Sequence, residues 1–184
     1  MISDYVKGKK LLDYPVDIQR GIRLHRFIDE FTDNHEATRT AKEVFRPAYR
    51  LYSGAIVDVV YDHFLAADDT EFTEAGLHDF SQQVYQTLHH HQVHFPERFS
   101  GMFPYMKEQN WLFHYRSRWG TGKSLGGLVR RARYMSDSET AFRLFEENYQ
   151  LLAECYRHFW ADMKPRAGQR LAELKNTENT STGL

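Results

Sequence analysis

GAIVDVVYDHFLAA, residues 54–67, is apolar at nearly every position: Ile56, Val57, Val59, Val60, Tyr61, Phe64 and Leu65. Such a segment cannot lie on a surface, so it reads as a buried helix of an all-α protein. Two aspartates interrupt it, Asp58 and Asp62, spaced i,i+4 and therefore stacked on one face. Stacked like charges in a buried setting repel each other and lose hydration, so something must compensate them. A divalent cation does this; pairing with arginines or capping of neighbouring helices is the alternative.

Outward from that helix the chain reads as one compact helical bundle. Its 184 residues suit a single core over 1–175, followed by a polar tail, 176–184, expected to be disordered. Asp4 sits in ISDYVKG, on the last turn of a helix that Gly8 ends. Pro15 then starts a helix running to about Thr32, with Ile18, Ile22, Phe27, Ile28 and Phe31 at helical spacing. On it His25 and Asp29 share one face. Asp33 or Asn34 caps the next helix, about His35 to Phe45, which Pro47 ends. Further helices are expected over about Thr73–Val93, Phe103–Trp119, Leu125–Met135 and Ser138–Met163, with Pro165 breaking the last.

Net charge is −1, but its distribution is uneven. No Lys or Arg falls between Arg50 and Arg98, while Gln109 to Ser136 holds Arg116, Arg118, Lys123, Arg130, Arg131 and Arg133 with no acid. An acidic block can hold a cation, and a basic one an acidic partner. The single cysteine, Cys155, excludes a disulfide framework and suits a reducing, cytoplasmic setting. No apolar run approaches the ~20 residues that span a bilayer, so no membrane association is expected.

Several suggestive patterns fail on geometry. His89, His90 and His91 project about 100° apart on a helix, so with His94 they read as solvent-facing rather than as a metal cluster. Gly120-Thr121-Gly122-Lys123-Ser124 lacks the earlier glycine and the preceding strand of a phosphate loop. Trp111, Phe113, Tyr115 and Trp119 read as core packing rather than as base-stacking groups, and no nucleic-acid partner is expected.

The acids and histidine placed where apolar faces should be are Asp4, His25, Asp29, Asp58 and Asp62. One imidazole among several carboxylates suits Mg²⁺ or Mn²⁺ better than Zn²⁺. Such an ion could serve phosphoester hydrolysis. His63 points about 140° around the helix from Asp58 and reads as an orienting residue rather than a ligand of the same ion. Arg23 or Arg26 could neutralise phosphate charge.

The runs ISDYVKG, GIRLHRFIDEFTDNH and VDVVYDHFLA, with the later PERF and NWLFHYR, resemble the acyl carrier protein phosphodiesterase family from the first residues to about Trp160. That resemblance implies an HD-phosphodiesterase-like helical fold that depends on a divalent metal, usually manganese, with Mg²⁺ or Fe²⁺ as alternatives. The implied reaction removes 4′-phosphopantetheine from a serine of holo-acyl carrier protein, leaving the apo form. It places Asp4, His25, Asp29, Asp58, Asp62 and His63 at motif positions, with Asp58, Asp62 and His63 as catalytic candidates and the first five as metal ligands. The superfamily's His-Asp order is reversed here, as Asp62-His63. The family also has an apolar helix with a histidine upstream of ISDYVKG, where this chain has only Met1. The basic residues Arg116, Arg118, Lys123, Arg130, Arg131 and Arg133 would then meet the acidic carrier. A phosphohydrolase for a small phosphoester or nucleotide, or a non-catalytic carrier-binding module, are the other readings.

Overall fold

The computed structural model describes residues 2–132, 134–135 and 137–176; Arg133 and the expected tail from 177 lie outside them. Two short 3-10 segments, Ser3–Tyr5 and Gly8–Asp13, precede nine helices among the described residues: α1 (Val16–Asn34), α2 (Glu36–Tyr49), α3 (Ser53–Ala67), α4 (Glu74–His90), α5 (Glu97–Glu108), α6 (Trp111–His114), α7 (Arg118–Arg131), α8 (Glu139–Glu147) and α9 (Tyr149–Asn176). No strand occurs among the described residues.

The main core forms where α9 lies along α1 and α2, while α3 is packed between α2 and α7. Its centre is apolar and aromatic: Phe45, Ile56, Val57, Val60, Phe145 and Leu152 are fully enclosed. A second cluster, Tyr85, Phe99, Phe103 and Met106, joins α4 and α5. The Tyr85 hydroxyl accepts from the Leu112 N–H at 3.0 Å, tying α6 to α4. Val6 and Leu11 pack on Ile22, fastening the N-terminal segment to α1. Arg26 donates to the Val6 carbonyl at 2.6 Å and so fixes that segment rather than facing a phosphate.

Several helix limits differ from expectation, each for a visible reason. α2 runs through Pro47 because Ala41, Phe45 and Tyr49, four residues apart, all bury on one face. The Tyr49 hydroxyl then donates to the Asp137 carbonyl at 2.7 Å. The cap of α2 is His35, whose Nδ1 accepts from the Ala37 N–H, rather than Asp33 or Asn34. Asn110, with φ +43°, separates α5 from α6, and the short polar Asn side chain tolerates that left-handed turn. Ser117 caps α7, which places the Gly-rich 120–124 stretch inside a helix rather than a loop. A Cβ at Gly120 would lie 1.9 Å from the His114 carbonyl oxygen, so this contact between α6 and α7 requires glycine.

The expected Ser138–Met163 helix is two helices, parted at Asn148. Asn148 donates its side-chain N–H to the Leu144 carbonyl at 2.9 Å, closing α8. α9 continues through Pro165 to Asn176. The Asp68–Thr70 turn is also more than an exposed loop. Asp68 accepts from the Tyr156 hydroxyl, and Glu71 accepts from Trp160 Nε1 at 2.8 Å and from Lys164 at 2.7 Å, anchoring the turn to α9.

Candidate functional site

α3 has two opposite characters. One face, with Ile56, Val57, Val60, Tyr61, His63 and Phe64, forms the core; the other carries Asp58 and Asp62, and water reaches both. The aspartates therefore do not sit in the dry interior. They line a recess. Removal from bulk water is the main cause that pushes each carboxyl up to about 7; for Asp58 the carboxylates of Asp33, Asp29 and Asp4 add to it, and for Asp62 the charge of Asp58. Their surfaces are more open than that displacement alone would suggest. The open surface governs the energy, because water at the carboxylates screens the repulsion.

Across the recess stand residues of α1 and the N-terminal segment. His25 Nδ1 lies 2.8 Å from Asp29 Oδ2. A carboxylate only accepts, so Nδ1 carries the proton of this bond. Nε2 lies 4.0 Å from Asp4 Oδ1. Asp4, His25 and Asp29 each offer one ligand atom, all within 4.8 Å of one another. Two oxygens and one imidazole nitrogen at that spacing could hold a metal ion. Asp58 and Asp62 fall outside this close triad; Asp58 feels the charges of Asp29 and Asp4, and Asp62 that of Asp58.

Asp33 is the member that sequence reasoning assigned elsewhere. It does not cap α2; it pairs with Lys42 at 2.7 Å and acts on Asp58. The signal was present, because His25, Asp29 and Asp33 recur every four residues on one face of α1.

The structure corrects the place of His63. It is 2 % exposed, buried among Phe64, Phe145 and Tyr149. Its Nδ1–H donates to the Tyr115 carbonyl at 2.8 Å, and Nε2 accepts from the Tyr149 hydroxyl at 3.0 Å. Burial holds its pKa below the usual imidazole value, so it is neutral and engaged at both nitrogens. It joins α3 to the turn after α6 and to α9.

The basic residues divide into groups. Arg116 pairs with Glu74 at 2.7 Å, and Arg118 pairs with Glu146 at 2.6 Å while lying over the Tyr149 ring. Lys123, Arg130 and Arg131 have no carboxylate partner among the described residues and line a cavity of about 560 Å³. Arg133 lies outside the described residues. The aromatic stretch is only partly core: Trp111 packs against the second cluster, whereas Trp119 is 63 % exposed, and Trp111, Tyr115 and Trp119 wall that same cavity. Of the histidine run, His89 and His90 are exposed, as expected. His91 and His94 instead turn toward a largely apolar hollow of about 270 Å³ that also contains His25. Cys155 is buried, as its position predicted, and no helix among the described residues is long and apolar enough to cross a membrane.

The recess makes a prediction about stability. In cation-free protein Asp58 and Asp62 hold protons more tightly folded than unfolded. Their contribution is fully present below about pH 4 and is lost as pH rises through about 7. Asp58→Asn should therefore raise the metal-free Tm by about 2–4 °C near pH 8 and change it little near pH 4. That corresponds to about 1 kcal/mol, well below what the full displacement implies, because the group is open to water. A lower Tm near pH 8 would show that the acid is in favourable contacts instead.

Comparison with known proteins follows the same residues. The profile of the family described as acyl carrier protein phosphodiesterase matches residues 1–163, which contain every member of the recess. A relative from Salmonella paratyphi A, named acyl carrier protein phosphodiesterase, is 30% identical over 175 residues, covering 92% of this chain and 89% of its own. One of the same name from Yersinia pestis is 30% identical over 168 residues, covering 91% and 87%. No solved structure matches.

Proposed function

The chain belongs to the acyl carrier protein phosphodiesterase family, and from that membership we propose that it hydrolyses holo-acyl carrier protein to the apo form, releasing 4′-phosphopantetheine. The observation that carries the reading is that one family match spans all the acids and the histidine of the recess. Asp4, His25 and Asp29 would hold a divalent cation, manganese in this proposal. When bound, such an ion supplies Lewis-acid stabilisation of phosphoryl charge and lowers the pKa of a nearby water.

The remaining chemistry belongs to the chain's own side chains. Water attacks phosphorus and the bond from phosphorus to the serine oxygen breaks. The water's proton passes to a carboxylate, and the serine oxygen takes a proton as it leaves. Asp58 and Asp62, one helical turn apart and each near 7, are suited to accept and give these protons close to neutral pH. Arg116, Arg118 and Arg133 of the basic stretch favour encounter with an acidic carrier. A soluble carrier as substrate sets the reaction in the cytoplasm.

The test is intact-mass analysis of holo-acyl carrier protein incubated with the protein and Mn²⁺. The expected result is loss of the phosphopantetheine mass, abolished by chelator. A metal-dependent phosphodiesterase that cleaves generic diesters and leaves holo-carrier intact would overturn the substrate. Carrier binding without hydrolysis at any metal tried would overturn the enzyme.

A further inference from the structure

The cavity between α6 and α7 combines features that neither of the two other hollows at the recess has. Its walls are the rings of Trp111, Trp119 and Tyr115, and its charges are Lys123, Arg130 and Arg131. The hollow beside His25 offers no cation, and the groove beside Asp33 offers no indole. The α6–α7 cavity is also adjacent to the acids. Val59, next to Asp58 on α3, forms part of its lining, and Asp62 is close enough for its charge to act on the Tyr115 hydroxyl.

Three cations with no carboxylate partner among the described residues call for an anion from outside the chain. Flat aromatic faces beside them suit an elongated chain of methylenes and amides. The Lys123 ammonium already lies 5.6 Å from the centre of the Trp119 ring, so charge and ring are presented together. A volume of about 560 Å³ is in the range that holds a cofactor-sized arm.

We propose that this cavity binds the 4′-phosphopantetheine arm of the substrate, with its phosphate toward Arg130, Arg131 and Asp62 and its amide chain between Trp111 and Trp119. The inference rests on the proposed reaction and assigns three of the basic residues to the prosthetic group rather than to the carrier's surface. Gly127 offers a way to block the site without removing a charge. A Cβ there meets only the far ends of Arg131 and Arg130, at 3.2 and 3.7 Å, so a longer side chain fills the cavity by displacing flexible groups.

The experiment is titration of free 4′-phosphopantetheine, read by quenching of tryptophan fluorescence and by calorimetry, on the full chain. Wild type should bind it at least tenfold tighter than pantetheine, which lacks the phosphate. Arg130→Gln/Arg131→Gln and Gly127→Met should each weaken binding at least tenfold, and Trp119→Ala should remove most of the quench. Binding of apo-carrier, which has no arm, should stay within about twofold in all of them, with Tm confirming the fold. Unchanged 4′-phosphopantetheine binding with weakened apo-carrier binding would overturn the proposal and return these cations to the protein interface. Hydrolysis of holo-carrier without measurable 4′-phosphopantetheine binding would overturn it while the reaction stood. Binding that follows this pattern in a protein that does not hydrolyse holo-carrier would support the cavity and remove the reaction.

Discussion

Asp29→Asn and Asp62→Asn are each expected to lower turnover of holo-acyl carrier protein by about 10²–10⁴-fold, with different signatures. Asp29 belongs to the close triad and fixes His25 at 2.8 Å. Asparagine there removes one anionic ligand, so the defect is one of metal affinity. Raising Mn²⁺ should restore much of the rate. Asp62 lies across the recess and is assigned to proton transfer, which an amide cannot perform at any metal concentration. Its loss should not be rescued. The two variants should also part in stability, since removing the Asp62 carboxyl relieves crowding and raises the metal-free Tm near pH 8. Steady-state rates at increasing Mn²⁺ decide the matter. If both variants stay within about threefold of wild type, the recess is not the reaction centre.

His63→Ala should cost about 3–4 kcal/mol of stability and about 10 °C in Tm. The side chain is enclosed by Phe64, Phe145 and Tyr149, so its loss opens a cavity. It also strands the Tyr115 carbonyl and the Tyr149 hydroxyl, both buried hydrogen-bonding groups. The effect on turnover per folded molecule should be less than about tenfold, because the ring faces away from the acids. Thermal denaturation paired with activity corrected for the folded fraction separates the roles. A stable, fully folded His63→Ala protein with abolished turnover would return the residue to the chemistry.

Much of the architecture was legible because periodicity reports burial. The apolar run 54–67 marked the core face of α3, although its aspartates read as buried and instead face water. The i,i+4 spacing of His25 and Asp29 put two members of the candidate triad on one face of α1. Boundaries were less legible where packing overrode local preference. Pro47 and Pro165 both read as stops, yet the burial of Tyr49 on one side and of Met163 and Leu174 on the other carries each helix past them. The break at Asn148 has no Gly or Pro to announce it. His63 directly follows Asp62, yet one residue along a helix turns a side chain about 100° and here crosses from the water-facing side to the core, which the pairing in sequence does not reveal. Asp33 was read as a cap because caps are local, whereas its pairing with Lys42 lies nine residues away. The aromatic stretch from Trp111 to Trp119 looked like core because composition cannot distinguish a ring packed against the interior from one lining a hollow.

The shared family span ends at residue 163, but α9 goes on to Asn176. In that extension Arg166 lies 5.2 Å over the Phe31 ring and Arg170 6.0 Å over Phe27, both on α1. Lys164 at its start grips Glu71. The extension works as a clasp: it presses from behind on the helix that presents His25 and Asp29. Rigidity of the α1 wall of the candidate site can thus be adjusted from a region that holds none of its groups. Shortening or loosening this clasp would alter how firmly the α1 wall is held while every reacting side chain stayed the same.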